Sequence, residues 1–210
     1  FNHHIFDIVQ IFITDLDKVL EAVPLETWGK YNKHFKIGGV KITSDGSPQG
    51  RTAYFSTPYL TGGPGGEKNW RGEPTFPAET LQQMLKKVYD LNVPLNYHAN
   101  GDAAIDMLLK AHETIADDDL GKDRKVTIIH AQFTRKDQIA KYVQYKFRPS
   151  YYGLHTYYFA EAHIANRGKE QAMYISPLRD SIDAGLRPTN HTDAVVAPLD
   201  QMFMLWSAVN

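Results

Sequence analysis

The chain has 210 residues, of which 42% are hydrophobic, 12% aromatic and 22% charged, a composition that excludes disorder and collagen-like structure. With 23 basic and 24 acidic residues the formal charge is −1, so nothing draws the chain toward nucleic acid, and no apolar run approaches the ~18 residues of a membrane span. There are no cysteines, which removes disulfides and thiolate metal sites, whereas nine histidines supply the commonest transition-metal ligand.

Short apolar runs alternate with amphipathic helical patterns, which predicts βα units and a parallel sheet. Phe6 to Thr14 is rich in β-branched and aromatic residues and predicts a strand; a helix follows from about Asp15, with Leu16, Val19, Leu20 and Val23 on one face. Lys36 to Ser44 is a second strand running into the turn dipeptide Asp45-Gly46. Ser47 to Pro77, dense in glycine and proline, is too long for an idle connection. Its Tyr54, Phe55, Tyr59 and Trp70 would be costly to leave in water, so we expect an ordered loop over a functional site.

From Glu79 the residues Leu81, Met84, Leu85, Val88 and Leu91 recur at helical spacing, and Asn92 ends the pattern. Strands follow at Val93 to His98, Lys125 to His130, Phe147 to Tyr152 and Leu186 to His191. Helices are expected at Ala103 to Ile115, Lys136 to Tyr145, Ser176 to Ala184 (stopped by Gly185) and from Leu199 onward. A complete (β/α)8 barrel takes roughly 250 residues and eight units. The fold expected is therefore α/β, most of a TIM barrel comprising about its last six units in one partial domain, residues 1–210. A doubly wound open sheet is the alternative, although no Gly-rich dinucleotide fingerprint follows the first strand.

Catalytic groups of such barrels project from the C-terminal ends of strands. Those positions hold Lys41, His98, His130 and Asp193, each from a different strand. A lone strand-end histidine is more often a core or surface residue. Four such groups in succession can converge on one cation, and imidazole with carboxylate suits zinc with a position left open for water.

At these residues the sequence resembles the amidohydrolase superfamily, specifically amidohydrolase family 3 with its N-substituted formamide deformylase-like enzymes. The matching segments are Gly39 to Ser47 with Arg51-Thr52-Ala53, His98 to Ile105, Ile129 to Gln132, and Pro177-Leu178-Arg179 through His191 to Pro198. The resemblance implies a metal-dependent hydrolase cleaving a non-peptide C–N bond, amide or N-formyl, in a small-molecule substrate. It further implies Lys41, His98, His130 and Asp193 as ligands of one or two divalent ions, zinc by preference, with Lys41 a candidate for carboxylation. Asp193 would also be the catalytic base. A lysine forms a carbamate only as the neutral amine, which requires a depressed pKa. A divalent metal brings the pKa of water down toward ~7, and an adjacent carboxylate accepts its proton and passes it to the leaving amine.

The family's first-strand His-x-His pair is absent. His3-His4 are adjacent and would point to opposite faces of a strand. With Phe1 opening the chain and no cap at Asn210, the expectation is a fragment whose partner is the remainder of its own longer chain, with a homo-oligomer as a further possibility. The lack of a signal segment suggests a cytoplasmic protein.

His155 and Tyr157, after the seventh strand of the family's barrel, and His191, on the same strand face as Asp193, are the expected substrate contacts. The blander readings make Asp45-Gly46-Ser47 a turn, Asp102 a helix cap, His34 and His112 surface residues, and Arg179 an anchor between helix and barrel. An ester, lactone or phosphoester hydrolase using the same ligands is the runner-up. A catalytically inactive barrel used for binding is the third reading.

Overall fold

The computed structural model describes residues 7–116 and 119–210. His3, His4 and Phe6 lie outside them. Six strands, β1 (Asp7–Phe12), β2 (Phe35–Thr43), β3 (Leu95–Ala99), β4 (Val126–His130), β5 (Arg148–Tyr151) and β6 (Thr189–Asn190), pair in chain order, every pair parallel. The sheet curls into part of a TIM barrel, the α/β architecture expected from the sequence.

Strand alternation decides which groups enter the concave face. In β3, Leu95, Tyr97 and Ala99 are buried beneath the helices, which leaves Asn96 and His98 on the other face. In β2, Val40 and Ile42 are buried in the same way, and Lys41 lies between them. The helices α2 (Ala78–Leu91) and α3 (Asp102–Ile115) cover this face with Leu81, Leu85 and Val88, and with Ile105, Leu108 and Leu109. Asn92 ends α2 in the left-handed region at φ 52°. The helix α1 (Leu16–Ala22) packs at the β1 end, and α4 (Lys136–Tyr145) contributes Tyr142 and Tyr145 to the same core.

The loop of residues 44–77 is ordered, as expected. Ala53, Phe55 and Tyr59 join Phe133 and Ile175 in a second apolar cluster, with Trp70 against it. The segment after β5, for which the sequence predicts no element, holds three short helices, α5 (His155–Tyr158), α6 (Ala160–Arg167) and α7 (Lys169–Ala172). Arg167 ties them to the long loop, donating to the carbonyls of Thr57 at 3.0 Å and Pro58 at 2.9 Å with its guanidinium 4.0 Å from the Phe55 ring centre. The chain continues through α8 (Leu178–Asp183) and β6 to α9 (Gln201–Val209). Among the described residues no helix is long and apolar enough to cross a membrane.

Three expectations are corrected. His112 is fully buried, not at the surface: its Nδ1 lies 2.8 Å from the Tyr89 hydroxyl and its Nε2 3.1 Å from the Leu120 carbonyl. Asp102 makes no cap bond at its helix; it accepts from the Ser56 amide at 2.9 Å and from Arg135 at 2.8 Å, joining the long loop to α4. Arg179 anchors nothing to the barrel, because its exposed side chain pairs with Asp183 one turn along the same helix. His34 is exposed, in line with its reading.

Candidate metal centre

His130, His191 and Asp193 each offer a ligand atom, and the three atoms lie within 4.8 Å of one another. His191 Nε2 is 3.1 Å from His130 Nδ1, and Ser150 Oγ holds the opposite nitrogen, Nδ1, at 3.1 Å. The register that delivers them runs Ala99↔His130, His130↔Tyr151 and Tyr151↔Asn190, so neighbouring strand ends meet at one rim.

Alternation alone would send His130 the wrong way, since it shares parity with Val126 and Ile128 in the helix-side core. The backbone turns left-handed there, with φ 72° at His130 and 46° at Ala131. The imidazole thereby meets the His98 ring at 4.5 Å and the His191 ring at 5.0 Å between centres. Asp193 is also left-handed, at φ 50°, three residues past β6. Non-glycine residues at positive φ carry strain and concentrate at functional sites.

Two of the expected ligands stand beside this trio. His98 turns its Nε2 toward Asp45 Oδ1 at 3.4 Å and Asn100 Nδ2 at 3.2 Å while its ring abuts His130. Lys41 is half-buried and shares the field of the cluster: burial lowers its pKa, and Asp193 pulls it back up. Burial also pushes His191 down to about 4, with Lys41 and His98 adding to the effect. His130 is pushed well below the ordinary imidazole value by burial first, then by His98, His191, Lys41 and His155. Burial raises the Asp193 carboxyl, against the opposing pull of His98 and Lys41. Two imidazoles held neutral keep lone pairs free for a cation, and the adjacent carboxylate supplies charge; this donor set fits a divalent metal with a position to spare.

Among the expected substrate contacts, His191 belongs to the trio itself. His155 is buried one layer back, its Nδ1 2.8 Å from His163 Nε2 with the two rings stacked. Burial followed by the fields of His163 and His191 takes His155 down to about 3. Tyr157 stands apart and exposed, with its ring packed edge-on against Phe203 of α9 at 4.8 Å.

Sequence reasoning missed Asp45, which it read as part of a turn. Its carboxylate is buried and accepts from the backbone amides of Tyr54 at 3.0 Å, Asn100 at 3.0 Å and Gly101 at 2.8 Å, besides facing His98. It therefore fastens the long loop to the end of β3. The approach is so close that a Cβ on Gly101 would lie 1.9 Å from the Tyr54 carbonyl oxygen, which leaves room for glycine alone. The available signal was position: Asp45 lies two residues past the C-terminal end of β2, as His98 and His130 lie at the C-terminal ends of β3 and β4. Ser150, which holds His191, was also missed and carries no comparable mark.

The amidohydrolase family Amidohydro_3 matches residues 9–210. The chain is 26% identical over 196 residues to "Putative amidohydrolase YtcJ" of Bacillus subtilis (strain 168), an alignment covering 90% of this chain and 35% of that protein. It is also similar to the crystal structures of uncharacterized metal-dependent hydrolases from Pyrococcus furiosus and Pyrococcus horikoshii OT3. Each shows a TM-score of 0.79 and 25% identity over 97% of this chain, and the matches cover 40% and 38% of those chains. The chain thus spans two-fifths or less of the length of these relatives. Matched over nearly its whole length, the chain belongs to the amidohydrolase family.

Proposed function

We propose that this chain carries the metal centre of a hydrolase that cleaves a carbon–nitrogen bond other than a peptide bond, an amide or N-formyl group of a small molecule. The observation that supports it most is the convergence of His130, His191 and Asp193 at the C-terminal rim of the sheet, in a chain whose structural relatives are named as metal-dependent hydrolases. His130, His191 and Asp193 would hold the ion, with His98 and Lys41 beside them. Carboxylation of the half-buried Lys41, which the lowered pKa favours, would add a further ligand. A divalent ion, zinc by preference, supplies Lewis-acid polarisation of the carbonyl and a lowered pKa for water. In this reading the six strands are the third to eighth of the family's barrel.

The chain's own residues then divide the remaining work. Asp193, its carboxyl lifted by burial, accepts the proton of the attacking water and returns it to the departing amine. Ser150 and Asp45 fix the rings of His191 and His98. The test is hydrolysis of a panel of amides, N-formyl amines, esters and lactones by the full-length protein, before and after chelation. Amide or N-formyl turnover that disappears with the metal and returns with zinc is expected. Turnover of esters or lactones alone, or activity indifferent to chelation, would overturn the assignment.

A further inference from the structure

Phe12 is the last residue of β1 and has no task in the account above. Ile13, next along the chain, packs against the main apolar core, whereas Phe12 is 55% exposed and joins none of the three apolar clusters among the described residues. A single exposed apolar side chain is ordinary on an outer surface. This one is not on the outer surface.

The register puts it on the inner face. Phe12 pairs with Lys41 and Ile11 with Val40. Paired residues of neighbouring strands share a face and stand about 4.8 Å apart. Val40 belongs to the helix-side core, so Ile11 points the same way, and Phe12 faces the concavity with Lys41. Lys41 lies within electrostatic reach of Asp193, His130 and His191. Phe12 therefore stands one strand from the candidate metal centre, at the same rim. A further strand pairing with the free edge of β1 would lie beside it in the sheet and leave this face uncovered. Lys41, His98, His130, His191 and Asp193 are all polar, so Phe12 brings an apolar surface to a site built from ligands.

Resting on the function proposed above, we infer that Phe12 determines specificity: its ring walls the substrate pocket on the Lys41 side and contacts an apolar substituent of the scissile amide. In an N-formyl substrate that substituent sits on nitrogen, because the acyl side carries only hydrogen. The preferred substrates are then amides of branched or bulky apolar amines, and a charged substituent is disfavoured because it would lose water against the ring. Contact with the ring removes apolar surface from water on both partners, so the advantage grows with the size of the substituent.

The experiment measures kcat/KM for the formamides and acetamides of isobutylamine, methylamine and glycine, in zinc-loaded full-length wild type, Phe12→Ala and Phe12→Leu. The quantity read is the ratio of isobutyl to methyl substrate within whichever pair is turned over. That ratio does not depend on how much of a variant is folded or metal-loaded, so a merely structural role for the ring would leave it unchanged. Wild type is expected to favour isobutyl over methyl by about tenfold or more, and the glycine substrate least of all. Phe12→Ala should lose most of that preference, with the methyl substrate changed less than about threefold relative to zinc content, and Phe12→Leu should fall between. An unchanged ratio in Phe12→Ala, or a wild type that favours the methyl or glycine substrate, would overturn the inference and leave the hydrolase reading intact. A zinc-loaded wild type that turns over none of these amides would overturn the hydrolase reading and this inference together.

Discussion

Replacing Asp193 with asparagine is expected to lower turnover by about 10³-fold while leaving the fold intact, since positioned acid–base groups contribute roughly 10²–10⁴. Three observations set the size of the effect. The carboxyl is half-buried, and burial raises its pKa, which makes it a stronger base than a solvated aspartate. It stands within 4.8 Å of ligand atoms on two histidines, so it also balances cationic charge that an amide cannot. Its backbone sits at φ 50°, a conformation asparagine adopts as readily as aspartate, so the substitution adds no backbone strain. Steady-state kinetics with circular dichroism is the check. Activity within a few-fold of wild type would remove Asp193 from the proton path.

Asp45→Ala is expected to lose both stability and activity. The substitution leaves three amide N–H groups, those of Tyr54, Asn100 and Gly101, without their acceptor in a buried setting. Each orphaned donor costs about 1–3 kcal/mol, so a loss of about 3 kcal/mol or more in denaturant unfolding is expected after partial relaxation. His98 loses the carboxylate that faces its Nε2, and the long loop loses its fastening to β3, so residual folded protein should turn over far more slowly. Asp45→Asn, which keeps one carbonyl oxygen as acceptor, should fall between wild type and alanine. A destabilisation below about 1 kcal/mol in the alanine variant would show that water replaces these bonds, contrary to their burial.

Much of the fold was written in hydrophobic spacing. The strand-helix alternation, the α2 face of Leu81, Leu85 and Val88, and the strand-end positions of His98 and His130 all follow from periods of two and 3.6 residues. What escaped was local and short. The helices α5 and α7 have four residues each, less than any periodic pattern needs to declare itself. The Leu186 to His191 strand shrinks to Thr189–Asn190. The inward turn of His130 depends on two left-handed residues that alternation cannot foresee.

His112 was legible and misread. Ile105, Leu108, Leu109 and His112 fall at i, i+3, i+4 and i+7, the buried face of α3. Asp45 was hidden by its own neighbour, since Asp-Gly signals a turn whether or not the carboxylate has other work. His191 moved from the periphery of the site to its centre because β6 ends at Asn190 and the left-handed turn at Asp193, which no strand alternation foresees, brings the two ligand atoms together.

The central claim is that His130, His191 and Asp193 share a divalent cation. Elemental analysis of the purified full-length protein, wild type and His130→Ala, tests it most directly, with exposed His34→Ala as the control. At least one tightly held divalent ion per chain in wild type and control, lost from His130→Ala, is the result predicted. No ion in wild type after zinc loading, or equal metal content in all three proteins, would contradict it.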